Sequence, residues 1–207
     1  MFQNKIYKVG ITGNIGSGKS TVCRIFEALS IPIYYSDSEA KRLINTDTDI
    51  MSVYKRICGS DIYSDGLLDR RKAAEILFND AELLYEVEQV VHPVVRCHFE
   101  RWAAVQPAPF VLQESAVLFE NGGNLFFDKI IFVSAPEPLR IQRVMKRDGW
   151  SEDAIRNRIN RQWNEEDKIS LSDFIIVCDD VQAIIPQVLK VHEQLLNIFE
   201  KQNSNFG

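Results

Sequence analysis

No stretch of this 207-residue chain approaches the roughly 18 to 20 consecutive apolar residues that a membrane-crossing helix needs, which excludes a bilayer-embedded protein. The segment from Met1 to Val9 carries Lys5 and Lys8 but no apolar central run and no small-residue cleavage site, so a secretory signal is not expected. Cysteine is scarce and dispersed. Cys23, Cys58, Cys97 and Cys178 form no close pair of the kind that holds zinc or staples a small domain, and buried thiols in a reducing cytoplasm are expected. An excess of positive charge is also missing. The net charge of -5 argues against a broad electrostatic grip on a nucleic-acid backbone, nothing requires a protein partner, and a monomer is the expected state.

The chain does have enough apolar content, 45% of its residues, for one substantial core. Short apolar runs at Ile6 to Thr12, Ile31 to Tyr35, Phe110 to Gln113, Ile130 to Val133 and Phe174 to Cys178 alternate with helical patterns. Continuous apolar runs of this length read as strands of a parallel sheet covered on both faces, giving an α/β protein with a five-stranded sheet flanked by helices. Between the second and third runs lies a mostly helical insertion, including Arg70 to Phe78 and Leu83 to Trp102, too long for a simple crossover. A charged helical segment, Pro138 to Lys168, separates the fourth and fifth strands and suits a mobile lid. Ile184 to Phe199 carries helical spacing, and Lys201 to Gly207 is expected to be a frayed polar tail.

Between the first strand and the first helix stands Gly13-Asn14-Ile15-Gly16-Ser17-Gly18-Lys19-Ser20, a phosphate-binding loop pattern in the context its mechanism requires. Glycines let the backbone turn closely around phosphate oxygens, amide N–H groups converge on the anion, and the helix N-terminus adds positive potential. Gly16, Ser17, Gly18, Lys19, Ser20 and Thr21 are the expected nucleotide contacts. Lys19 would reach the β- and γ-phosphates, Ser20 would ligate Mg2+, and Thr21 would lie near the α-phosphate. The loop specifies a nucleotide and leaves the acceptor open, since switches, motors and kinases share it.

Asp37 follows the second strand, where a parallel sheet would put it at the carboxyl edge, able to orient or deprotonate an attacking hydroxyl. An N-cap for the helix starting near Glu39 explains the same residue equally well. Here the order and spacing of the motifs become specific. Ile11 to Thr21, then Asp37 with Ala40-Lys41, His92-Pro93, Val117-Leu118-Phe119-Glu120, Arg143, Arg147-Asp148, Arg158, Gln162 and Ser172-Asp173 resemble the dephospho-CoA kinase family from about Lys8 to about Leu195. That resemblance implies a P-loop kinase fold and transfer of the ATP γ-phosphate to the ribose 3'-hydroxyl of dephospho-CoA, the last step of coenzyme A synthesis. It also implies Asp37 as general base, Lys19, Arg143 and Arg147 as further catalytic residues, and Lys41, His92 and Glu120 on the acceptor side. Departures from the family pattern fall at Tyr35, Asn14 and Ala116, where an acid, glycine and proline are usual. The expected organisation is a nucleotide-binding core of residues 1–36, 108–137 and 169–207, an acceptor region of 37–107, and a lid of 138–168.

The bland readings stay beside these. His92 before Pro93 is also a packed histidine at a helix kink, and Glu120 a solvated loop acid. Arg140, Arg143 and Arg147 at i, i+3 and i+7 would present guanidinium groups on one helix face, suited to a transferring phosphoryl group or to ordinary ion pairs. Ile155, Ile159 and Trp163 read as a packing stripe, with Arg158 and Arg161 on the basic side. A GTPase switch is disfavoured because no Asn-Lys-x-Asp motif is present. A kinase for another nucleoside or nucleotide remains the main rival.

Overall fold

The computed structural model describes residues 6–78, 80–120 and 122–204. In chain order the elements are β1 (Tyr7–Thr12), α1 (Lys19–Ala28), β2 (Ile33–Tyr35), α2 (Ser36–Leu43), α3 (Thr48–Cys58), β3 (Tyr63–Ser64), β4 (Leu67–Leu68), α4 (Arg70–Phe78) and α5 (Ala81–Ala103). They continue with β5 (Phe110–Glu114), a 3-10 turn (Gly123–Phe126), β6 (Lys129–Ser134), α6 (Glu137–Asp148), α7 (Glu152–Ile159), α8 (Glu165–Ser170), β7 (Phe174–Val177) and α9 (Ile184–Ser204). The chain divides into two compact units, one made of residues up to Tyr34 and from Gln106 onward, the other of Tyr35–Val105. Residues 138–168 fall inside the first of these.

The first unit is built on a parallel sheet of order β2-β5-β1-β6-β7. β1 pairs with β5 from Tyr7↔Phe110 to Ile11↔Glu114 and with β6 from Val9↔Lys129 to Thr12↔Phe132. Its flanking strands therefore arrive more than a hundred residues later. Val9, Ile11, Val111, Leu112, Ile131, Phe132 and Val133 are fully buried, as continuous apolar strands covered on both faces must be. On one face α9 packs against α1 and β7. Tyr7 stacks on Phe199 at 4.0 Å, and Phe110 lies 5.8 Å from the same ring. The expected frayed tail is corrected here: α9 runs on through Lys201 to Ser204, and residues 205–207 lie outside those described.

The segment 138–168 is built from three helices, α6, α7 and α8. Gly149 ends α6 with a left-handed φ of 69°, Ser151 caps α7 through the Ala154 N–H, and Asn164 caps α8 through the Glu166 N–H. Ile141, Val144 and Ile155 form a small core here, joined by Ile15, Trp150 and Ile159. Trp163, expected in that stripe, is 46% exposed instead, because it lies past the end of α7 where helical spacing no longer applies.

The second unit has its own core of Leu43, Ile50, Val53, Tyr54, Ile62, Ala73, Leu77 and Val87. Asp47 and Asp80 cap α3 and α5 by accepting two backbone N–H bonds each. α5 runs unbroken through Pro93, where a break or bend was expected. Proline removes the N–H that would reach the Gln89 carbonyl; both residues are exposed, so water can satisfy the freed oxygen while the turns on either side stay packed. The β3–β4 hairpin, turning at Asp65 and Gly66 with φ of 50° and 78°, is a two-residue turn of positive φ that strands this short do not announce by periodicity. Among the cysteines, Cys23, Cys58 and Cys178 are buried as expected, whereas Cys97 is exposed on α5.

Candidate active site

At the carboxyl end of β1 the chain turns through residues 13–18 and enters α1 at Lys19. Ser17 N–H donates to the Asn14 carbonyl at 3.1 Å and closes the turn. Gly16 and Gly18 have φ of 78° and 100°, a region that costs a side chain about 1–2 kcal/mol. A Cβ on Gly16 would also lie 2.5 Å from the Arg140 carbonyl oxygen, so the glycine is needed twice over. Among the described residues the backbone N–H groups of Gly16, Gly18 and Ser20 have no acceptor. The Ser17 hydroxyl is buried with no hydrogen-bond partner among the described residues. Lys19 Nζ donates to the Gly13 carbonyl at 2.7 Å, which folds its ammonium over the loop. Unengaged amides, an orphaned hydroxyl, a helix N-terminus and an ammonium over one turn form a cup for an anion. Ser20 and Thr21 are exposed in the first turn of α1, which places a hydroxyl at the rim where a phosphate-bound cation would sit.

The three arginines of α6 do not form one anion-facing row. Arg140 is 4% exposed; its Nε donates to the Ala135 carbonyl at 3.1 Å, and Nη2 lies 3.7 Å from Glu165 and 3.8 Å from Glu137. Arg143 is half-buried, donating to the Cys178 carbonyl at 2.9 Å and to Asp180 at 2.5 Å. Arg147 is exposed and donates two hydrogen bonds, from Nε and Nη2, to the two carboxylate oxygens of Asp148 at 2.8 Å each, which pulls the carboxyl below its usual range. The reason is length. Arg140 and Arg147 share an azimuth but stand about 10 Å apart along the axis, so one meets the carboxyl edge of the sheet and the other solvent. Arg158 lies over the Trp150 ring at 3.9 Å.

Glu120, read as a loop acid or an acceptor wall, is mostly buried. Its Oε1 accepts from Lys168 Nζ at 2.5 Å and from the Trp163 N–H at 3.2 Å, and its Oε2 is buried with no partner among the described residues. Lys168 is fully buried and also donates to Asn14 Oδ1 at 2.9 Å.

In the second unit Asp37 is the second residue of α2. The N-cap position belongs to Tyr35, so the capping explanation for Asp37 falls away. Its carboxylate is exposed and, among the described residues, has no hydrogen bond or ion pair. Lys41 is exposed one turn later, and its carbonyl accepts from Asn45 and Arg70. His92 is exposed on α5 and is therefore not a packed core histidine.

Residues 7–183 match the family model described as dephospho-CoA kinase. The chain belongs to the dephospho-CoA kinase family. Dephospho-CoA kinases of Porphyromonas gingivalis and Bacteroides fragilis are 37% and 36% identical to it, each over 89% of this chain and 92% and 90% of their own. A solved structure from Thermus thermophilus superposes with a TM-score of 0.80 at 31% identity, covering 93% of this chain and 97% of that one. The Campylobacter jejuni dephospho-CoA kinase shares the fold at a TM-score of 0.68 and 24% identity, over 91% of this chain and 96% of its own.

In this family member two groups beyond the motif residues stand near the phosphate loop. Glu114 ends β5 beside Ile11. The Cys23 thiol, one turn past Lys19, is pushed up to about 12, first by burial and then by the charges of Glu114 and Glu27, with Lys19 opposing. Glu114 is thus within electrostatic reach of the first turn of α1. An acid closing an apolar run was the available signal. Lys168 carried none, since a lysine among Glu165, Glu166 and Asp167 reads as a solvated face.

Proposed function

We propose that this protein transfers the γ-phosphate of ATP to the ribose 3'-hydroxyl of dephospho-CoA in the cytoplasm. The observation that carries the donor side is the loop itself: left-handed Gly16 and Gly18, with the N–H groups of Gly16, Gly18 and Ser20 unengaged beneath the Lys19 ammonium. Gly16 to Thr21 hold the phosphates. Ser20 holds Mg2+, which when bound offsets phosphate charge. Asp37, a carboxylate with no competing partner, aligns or deprotonates the acceptor hydroxyl. Arg143 and Arg147 stabilise charge on the transferring group, for which fixed, forked guanidinium donors are suited.

Lys41 and His92, exposed polar groups of the second unit, contact the acceptor, so 37–107 forms the acceptor region. Glu120, whose Oε1 is taken by Lys168 and the Trp163 N–H, is not among the acceptor contacts, and 138–168 serves as the lid that excludes water. The test is incubation with ATP, Mg2+ and dephospho-CoA, with the product located by mass spectrometry and NMR. A single added phosphate on the 3'-oxygen is expected. Phosphate elsewhere, or faster turnover of another nucleoside, rejects the assignment.

A further inference from the structure

The phosphate loop is held from outside its own motif. Asn14, its second residue, is 4% exposed, and the oxygen of its side chain accepts from Lys168 Nζ at 2.9 Å. Its main-chain oxygen accepts from Ser17 N–H, the bond that closes the turn. The next amide, Ile15 N–H, donates at 3.0 Å to Gln162 Oε1. Two consecutive loop residues are therefore fixed by side chains from the 160–168 stretch. That stretch is itself pinned, because Glu120 Oε1 accepts both from Lys168 and from Trp163 N–H.

A lysine with no exposed surface is held in place only by its partners, since an ammonium taken out of water must be matched by a carboxylate and satisfied acceptors. Here one is a core carboxylate and the other is the loop. The direction of each amide in an anion cup decides how strongly it meets a phosphate oxygen, so a strut that sets the path of Asn14 and Ile15 sets the cup. From this geometry we infer that Lys168, with Glu120 as its counter-ion, is a positioning residue for the donor nucleotide, acting through Asn14. Glu120 then serves the donor side by supporting the loop. The inference rests on the reading that the loop takes the phosphates of ATP.

The test is steady-state kinetics on Asn14→Ala, Lys168→Met and the double variant, varying ATP and dephospho-CoA separately. Each single change is expected to raise KM for ATP about tenfold and leave KM for dephospho-CoA within about twofold, and the double variant to be no worse than Lys168→Met, as for residues acting as one unit. Thermal unfolding checks each variant's fold. If Lys168→Met does not fold, Asn14→Ala decides alone, because it leaves the Lys168–Glu120 pair in place. An unchanged KM for ATP in Asn14→Ala, equal rises in both KM values, or multiplying effects in the double variant would overturn the inference. Lys19→Ala separates the two claims. Native ATP affinity there sinks the phosphate-loop reading itself, whereas its loss beside an unaffected Asn14→Ala sinks only the strut.

Discussion

Replacing Gly16 by alanine isolates what the loop's geometry demands. Two penalties act together. The φ of 78° costs any L side chain about 1–2 kcal/mol. The new methyl would also stand 2.5 Å from the Arg140 carbonyl oxygen and 3.0 Å from its carbonyl carbon. Neither side yields easily. Arg140 belongs to α6, whose Ile141 and Val144 are packed in a core that also includes Ile15, the residue before the glycine. Forced overpacking of this kind adds about 1–3 kcal/mol, for a total loss of roughly 2–5 kcal/mol. The comparison variant is Gly149→Ala in the same unit, where φ is 69° and nothing lies within 4 Å of the added carbon. It should lose only the backbone part, about 1–2 kcal/mol. Urea unfolding of both variants, with KM for ATP measured alongside, reads the difference. Equal stability losses, with an unchanged KM for ATP in Gly16→Ala, would show that the close approach of loop and α6 is not a real constraint.

Asp37→Asn should lower kcat by about 10²–10⁴, as expected for a lost general base, while thermal stability stays near wild type because the carboxylate is exposed and unpaired; normal turnover would remove Asp37 from the mechanism. His192 sits 6.0 Å from Phe110 and 6.5 Å from Phe26, and burial holds its pKa below the ordinary range. The unfolded chain therefore takes the proton first, so stability should fall as pH drops through about 6.5 and continue falling to the lower folded value. His192→Leu should flatten that slope, and an unchanged profile would place the pH dependence elsewhere. A thiol reagent at mild alkaline pH should label Cys97 quickly and leave Cys23, Cys58 and Cys178 protected until the protein is unfolded, since burial shields all three and raises their pKa values. Fast labelling of Cys23 would contradict its full burial on α1.

The features readable in advance were those whose physics is local. The phosphate loop needs glycines, a lysine and a hydroxyl at fixed spacing between a strand and a helix, and all of that is contiguous from Gly13 to Ser20. The parallel sheet announced itself because each strand is apolar on both faces. Pro93 does not break α5, because a helix with packed turns on both sides tolerates one lost bond at an exposed position. The arginines of α6 misled because their spacing gives azimuth and says nothing of what lies beyond each end of the helix. The pairing of Glu120 with Lys168 was illegible in principle. Each looks like an ordinary surface charge, and only the fold brings them together across 48 residues of chain.

The central place of β1 in the sheet has a consequence for how the protein is made. Tyr7 to Thr12 leaves the ribosome about a hundred residues ahead of its partners, because both its hydrogen-bonding edges are reserved for strands beginning at Phe110 and Lys129. At a synthesis rate of about 5–20 residues per second, the strand waits roughly 5 to 20 seconds before the first partner exists. Throughout that interval a segment with three β-branched residues and a single charge, Lys8, stands with two open ladders, the condition under which chains pair with one another instead of with themselves. Overexpression of this protein should therefore be limited by how well β1 is shielded during translation, more than by the stability of the finished fold.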